Sequence, residues 1–388
     1  MYKVYLKKRE EERLILGHSW VYANEVSKIE GTGKNGDMAW VYSYDGRFIG
    51  RGFINHLSKI LVRIISRNEE EEINQEFYEN RIRKANNLRL MLGYKNCYRV
   101  VFAEADNLPA LIIDKYADIL SVQFLSLAMD RAKDMIVKSL INIFNPRGIY
   151  ERSDVKIREK EGLPLIKGPL YGEFSPKVEI QENGIKMIVD VENGQKTGYF
   201  LDQKENRFAL RRYAKDKEIL DCFSNSGGFA LNCAMGGAKK VTAIDISQFA
   251  VDNIKENAKL NNLNVDTTCQ DVFEELRRLK KEGKTFDMIV LDPPAFCKSA
   301  NEVKDAYRGY KDINILAMKL LKKGGILATC SCSHYMTMQL FENMITDAAK
   351  EAKKEVKYLE RRTQSPDHPS LVGSDETLYL KFYILEVE

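Results

Sequence analysis

Forty residues separate Asp292 from Cys332, and each closes an apolar, β-branched run. The first run, Phe286-Asp287-Met288-Ile289-Val290-Leu291, passes into Asp292-Pro293-Pro294-Ala295-Phe296. The second, Gly324-Gly325-Ile326-Leu327-Ala328-Thr329, ends in Cys330-Ser331-Cys332-Ser333. Neighbouring parallel strands bring such terminal side chains to the carboxyl edge of an α/β sheet, where ligands bind. An Asp-Pro-Pro turn beside a strand-end cysteine suits acid/base work on a base held close to a nucleophilic thiol. Cys330 and Cys332 lie two residues apart and would share a face while the strand lasts, so spacing does not choose between them.

A second group of residues has the arrangement of a cofactor site. Glu218-Ile219-Leu220-Asp221-Cys222 reads as a strand feeding the small-residue turn Phe223-Ser224-Asn225-Ser226-Gly227-Gly228 and then a helix. Two glycines let the backbone approach a ligand and let the next helix start at once. Asp245 ends the following strand 17 residues past Gly228, where a carboxylate can accept from a ribose diol. Asp271 follows Val265–Gln270, where an adenine would lie. The glycines do not form GxGxxG and there is no GxxxxGK[ST] loop, so neither a dinucleotide nor a nucleoside triphosphate fits. A nucleoside-sized cofactor does, and S-adenosylmethionine is the one we expect.

These side chains need a doubly wound sheet to hold them, and from residue 191 onward strand and helix alternate in that manner. Upstream the pattern differs. Residues 1–68 read as a β-rich module, with a hairpin turning at Tyr44-Asp45-Gly46. Residues 69–190 read as an α+β region: a helix over Ile73–Leu92, a strand pair within Leu111–Phe124, a helix over Ala128–Phe144, and a turn at Gly184 between two more strands. Hydrophobic residues, 44% of the chain, suffice for several cores, and no apolar run is long enough for a membrane span. The start, Met1 to Arg9, turns charged where a signal peptide needs its apolar segment. Seven cysteines without CxxC pairs argue for a reduced, cytoplasmic protein with no structural zinc or other metal. The net charge of +4 is mild, but residues 1–68 hold 12 Lys and Arg against 7 Asp and Glu. That basic end suits nucleic acid better than the rest of the chain does.

Nearly the whole sequence resembles the bacterial class I S-adenosylmethionine-dependent 23S rRNA cytosine-C5 methyltransferases, the large-subunit methyltransferase I group. Gly17-His18-Ser19-Trp20-Val21-Tyr22 and the β-module after it are similar to that family's PUA-type RNA-binding domain. Phe102–Asp114 and Glu151-Arg152-Ser153-Asp154 resemble its central domain. Glu192-Asn193-Gly194-Gln195-Lys196-Thr197-Gly198-Tyr199-Phe200-Leu201-Asp202-Gln203-Lys204-Glu205-Asn206-Arg207 is the most specific match. The resemblance implies a Rossmann-like, mostly parallel methyltransferase sheet over 191–388 with its last strand, within Glu376–Leu385, antiparallel. It further implies that Phe200, Asp202 and Gln203 close over S-adenosylmethionine. Asp221, Ser224, Ser226, Gly227 and Gly228 would form the cofactor's loop, Asp245 would take the ribose and Asp271 the adenine amino group, with Asp292 beside them. The implied partner is ribosomal RNA, and a homodimer is left open.

Carbon 5 of cytosine is too weak a nucleophile to take a methyl group unaided. A thiolate adding to C6 makes C5 an enamine carbon, and a carboxyl bonding the base near N3 assists. Asp292 and Cys332 meet those needs, Cys332 being preferred because Cys332-Ser333 matches the strand-end Thr/Ser-Cys-Ser motif of cytosine-C5 RNA methyltransferases. Phe296 is a candidate for stacking on the target base. Cys297 could be a second thiol, although packing suits it better, and His334 inherits no role from the resemblance. Two other functions are weighed. A guanine-N methyltransferase of the same fold would need no cysteine, and its Asp-Pro-Pro would be followed directly by an aromatic, where Ala295 stands here. A non-catalytic RNA-binding or ribosome-assembly protein would be expected to have lost at least one of the acids.

Overall fold

The computed structural model describes all 388 residues. Two compact units are each threaded by three chain segments: Met1–Ile180, Val189–Leu201 and Pro366–Thr377 form the first, and Gln181–Ile188, Asp202–Ser365 and Leu378–Glu388 the second.

The first unit opens with β1 (Tyr2–Leu6), the single turn α1 (Glu12–Ile15), β2 (Trp20–Tyr22), β3 (Val26–Glu30), β4 (Met38–Tyr42), β5 (Phe48–Ile54) and β6 (Ile60–Ser66). Their sheet runs β2-β6-β5-β4-β1-β3. Val4, Leu6 and Val41 are fully buried between their exposed or half-buried neighbours, the period-2 pattern of a sheet with one face in a core. The hairpin at Tyr44-Asp45-Gly46 joins β4 to β5, and Gly46 supplies the positive φ, 85°, that the turn requires.

Next comes α2 (Gln75–Met91), its first turn capped by Asn74, whose Oδ1 accepts from Phe77 N at 3.0 Å. Five strands follow: β7 (Cys97–Phe102), β8 (Leu111–Tyr116), β9 (Ile119–Phe124), β10 (Gly148–Ser153) and β11 (Ile166–Tyr171), in the order β11-β10-β9-β8-β7. The helix expected over 128–144 is two helices, α3 (Leu127–Arg131) and α4 (Lys133–Phe144), broken at Ala132. Ion pairs pin each side of the break: Arg158 holds Asp130 at 3.0 Å and Glu151 holds Lys133 at 2.9 Å. The same unit buries Arg89 against Asp106 and Arg99 against Asp114, each pair bidentate at 2.6–2.8 Å. Asp367 joins this network, its carbonyl accepting from Arg89 and its carboxylate from Arg99 N. Unpaired, each buried guanidinium would cost several kcal/mol.

A two-stranded ribbon, β12 (Lys177–Glu182) and β13 (Ile185–Asp190), turns at Gly184 as expected. In the second unit, α5 (Lys204–Ala214) leads into a seven-stranded sheet: β14 (Glu218–Cys222), α6 (Gly228–Met235), β15 (Lys240–Asp245), α7 (Gln248–Leu260), β16 (Asp266–Cys269), α8 (Val272–Lys281), β17 (Phe286–Leu291), α9 (Val303–Leu320), β18 (Leu321–Ser331), α10 (Met338–Ala352), β19 (Val356–Arg362) and β20 (Lys381–Val387). The order is β16-β15-β14-β17-β18-β20-β19, parallel except that β20 runs antiparallel to both its neighbours. This is the expected mostly parallel α/β sheet with its last strand reversed. That strand begins at Lys381, later than the resemblance implied, because Asp375–Thr377 form a short 3₁₀ turn instead. Leu220, Ile289, Leu291 and Leu327 lie in one core and Ile219, Met288, Val290 and Ala328 in another, so both faces of the central strands are covered. No helix is long and apolar enough to cross a membrane.

Candidate active site

Pairing of Asp221 with both Ala243 and Val290, and of Leu291 with Thr329, brings the ends of β14, β15, β17 and β18 to one edge. Asp221, Asp245, Asp292 and the two cysteines therefore collect there, and Asp271 lies just past the end of β16. The turn after β14 is built from unusual backbone: Phe223, Asn225 and Gly227 have φ of 63°, 51° and 84°. Gly227 is favoured by its positive φ, and a Cβ there would also sit tightly, 3.2 Å, against the Ile254 side chain.

The acids are divided between holding the loop and facing a ligand. Asp221 is fully buried; its Oδ2 accepts from Ser224 Oγ at 2.5 Å and from Ala230 N, in the first turn of α6, at 3.0 Å. Burial pushes its carboxyl up to about 7 despite those donors, with Asp292 and Asp245 adding repulsion. Asp221 Oδ1 and Ser226 Oγ are buried without a hydrogen-bond partner. Asp245 is half-buried and uses one lone pair on each oxygen, accepting from Asn225 N and Ser247 N at 2.9 Å. Its remaining lone pairs suit a diol. Asp271 caps α8, Oδ1 accepting from Glu274 N at 3.0 Å, so one of its oxygens is already committed to the fold. Orphaned buried acceptors beside a left-handed turn and a half-buried acid fit the ribose and amino-acid ends of S-adenosylmethionine.

Gln203 and Asp202 are both buried. Gln203 Nε2 donates to Asp292 Oδ1 at 3.1 Å and to Cys330 Sγ at 3.4 Å, and its Oε1 accepts from Asn206 at 2.7 Å. Asp202 Oδ2 accepts from Tyr379 OH at 2.5 Å, and its carbonyl accepts from Ser365. Phe200 belongs to the first unit, its ring lying beneath the Lys196 ammonium at 4.6 Å.

The cysteines are not equivalent. Cys330 is wholly buried and its Sγ donates to Asp292 Oδ1 at 2.7 Å; burial and the facing carboxylate drive the thiol well above its ordinary range. Cys332 lies one residue beyond the end of β18 and is partly exposed. Cys297 is buried and donates to Ser299 O at 3.1 Å, and burial likewise raises Cys222, Cys233 and Cys297. Asp292 is half-buried, and desolvation raises its carboxyl above the usual range, the Cys330 and Gln203 hydrogen bonds opposing. Phe296 is half-buried and packs on Tyr310, centroids 4.7 Å apart, and on Phe273 at 6.1 Å. Its ring is thus already partnered on the protein side. His334 is exposed beside Tyr335.

Sequence reasoning passed over Lys381, the first residue of β20, which is buried at this strand end and donates to the carbonyls of Ser333 and Tyr379. The available signal was a lysine opening the otherwise apolar run Phe382-Tyr383-Ile384-Leu385. It also passed over Tyr310, whose hydroxyl lies 3.0 Å from Ser333 Oγ.

Sheet order, turn and strand-end acids define an S-adenosylmethionine-binding methyltransferase. Residues 167–382 match the family described as S-adenosylmethionine-dependent methyltransferases, and residues 4–67 match a PUA-like domain. The chain is 42% identical to the ribosomal RNA large subunit methyltransferase I of Vibrio cholerae (serotype O1), over 99% of both chains. It is 39% identical to the same enzyme of Klebsiella pneumoniae (strain 342), over 99% of this chain and 98% of that one. Its backbone follows that of a candidate SAM-dependent methyltransferase from Streptococcus mutans with a TM-score of 0.85 at 22% identity, over the full length of both, a likeness of fold. The chain belongs to the S-adenosylmethionine-dependent methyltransferases and, within them, to the ribosomal RNA large subunit methyltransferase I family.

Proposed function

We propose that this protein methylates C5 of a cytosine in 23S ribosomal RNA through a covalent bond between Cys332 and C6 of the base. Ribosomal RNA is the substrate named for its relatives. The observation that carries the reading is the division between the two strand-end thiols: Cys330 is sealed and bound to Asp292, whereas Cys332 is partly exposed past the strand.

In this reading the Cys332 thiolate adds to C6, and the electron pair of the C5–C6 bond moves toward C5. S-adenosylmethionine, when bound, supplies the electrophilic methyl carbon. Loss of the C5 proton to a base then re-forms the double bond and expels the thiolate. Asp292 is suited to the far edge of the ring. Its Oδ1 already accepts two hydrogen bonds, and its raised carboxyl can carry a proton on Oδ2. A proton donated toward N3 withdraws electrons from C6 and favours addition. Asp245, Asp271 and the 221–228 turn hold the cofactor, with Asp202 and Gln203 on the same unit.

The test is nucleoside mass spectrometry of 23S RNA, taken from cells lacking the gene and treated with the enzyme. 5-Methylcytidine is expected, and Cys332→Ala should abolish it. A methylated guanosine, made equally well by Cys332→Ala, would replace this reading with guanine-nitrogen methylation.

A further inference from the structure

Lys381 is buried at a cost that packing alone does not justify. It is 3% exposed, and it lies opposite Ser331 in the β18–β20 pair. Its Nζ donates to Ser333 O and Tyr379 O, both at 2.7 Å, and no carboxylate pairs with it. Two of the three ammonium N–H groups are thereby used, one of them on the residue directly after Cys332. Burying a lysine without an acid costs several kcal/mol, and a methionine could fill the same space without that penalty.

The charge has a use at this strand end. The groups whose charge bears on Cys332 within the second unit are Cys330 on β18, Tyr310 on α9 and Lys381 on β20. Cys330 is committed as a donor to Asp292, and Lys381 is the cation among the three. Burial draws the Lys381 ammonium down to about 8, and Cys332 and then Cys330 oppose that fall. Interaction between two titrating groups is mutual, so a charge that Cys332 favours on Lys381 also favours charge on Cys332.

We infer that Lys381 is a positioning residue that holds the sulfur of Cys332 as a thiolate, ready to attack and able to leave. The thiol proton passes to solvent, the ammonium keeps its own, and the sulfur retains the electron pair it donates to C6. When the C6–S bond breaks, the pair returns to a sulfur beside the same cation. The inference rests on the reading of Cys332 as the attacking group.

The experiment follows alkylation of Cys332 by iodoacetamide in the full-length protein, read by peptide mass spectrometry as a function of pH. An ordinary thiol gives a midpoint near 8.5; the wild type should lie roughly one pH unit or more lower. Lys381→Met should raise the midpoint by about one unit, and Lys381→Arg should keep it low. S-adenosylmethionine affinity reports whether each variant is folded. A wild-type midpoint at or above that of an ordinary thiol overturns the inference, as does an unshifted midpoint in a folded Met variant. If the Met variant does not bind cofactor, the wild-type and Arg midpoints decide. Alkylation does not depend on methyl transfer. An unshifted profile in an enzyme that still forms a covalent RNA adduct therefore rejects the role of Lys381 alone, whereas absence of the adduct rejects the reading of Cys332.

Discussion

Asp221 shows how a single carboxyl can serve the site at the expense of the fold. In the unfolded chain it ionises near 3.8, whereas in the native state it holds its proton up to about 7. Between those values the folded state binds more protons, so stability falls as pH rises through this window and is level above it. The penalty at alkaline pH is of the order of 4 kcal/mol. Asp221→Asn keeps an oxygen for Ser224 and Ala230 but cannot ionise. Urea denaturation should show the variant gaining on the wild type as pH rises from about 5 to 8; parallel pH profiles would show that Asp221 titrates normally. Asp245→Ala, by contrast, should leave folding nearly intact and lower S-adenosylmethionine affinity about ten- to a hundredfold, since it removes charged acceptors worth roughly 1.5–3 kcal/mol. Unchanged binding measured by calorimetry would mean that the ribose is held elsewhere.

Among the elements, α8 separates two uses of one acid. Asp271 caps its first turn, and the site reading also assigns it to the adenine. Asp271→Ser retains a capping oxygen, so stability should change by less than about 1 kcal/mol while cofactor affinity drops. If affinity is unchanged and Asp271→Ala only destabilises, the residue is a cap and nothing more. The elements that form this edge were legible because each apolar run stops abruptly on a polar residue, a pattern set by local sequence. The break at Ala132 was not legible. Alanine is the best helix former, and the ion pairs that flank the interruption are made with Arg158 and Glu151, residues of other elements. The contacts of Lys381 and Gln203, though not Gln203 itself, escaped for the same reason. Gln203 reaches Asp292 and Cys330 across 89 and 127 residues of sequence, and no local window contains those contacts.

On the scale of the whole molecule, the PUA-like domain and the seven-stranded sheet belong to different compact units. The PUA-like domain is basic, and a groove of about 460 Å³ on it is lined by Lys28, His56, Ser58 and Leu61 among others. Deleting residues 1–68 would be a poor test of its role, because Arg63 pairs with the buried Glu161 at 2.9 Å and would leave that acid unpaired. Lys28→Ala with Lys59→Ala, both exposed positions, spares that ion pair. The double substitution should weaken RNA binding and flatten its salt dependence by about one unit of slope for each phosphate no longer neutralised, with cofactor affinity unchanged. Equal RNA affinity in the double variant would remove these lysines from the interface.

The reaction class is tested most directly by an RNA substrate carrying 5-fluorocytosine at the target position. Fluorine at C5 cannot leave as a proton does, so elimination stalls after methyl transfer and the enzyme remains bonded to the RNA. The predicted result is a species that survives denaturing electrophoresis, requires S-adenosylmethionine, is lost in Cys332→Ala and persists in Cys330→Ala. Loss in Cys330→Ala alone would move the nucleophile to the buried thiol. No adduct at all, from a sequence whose unfluorinated form is methylated, would contradict cytosine-C5 transfer through Cys332.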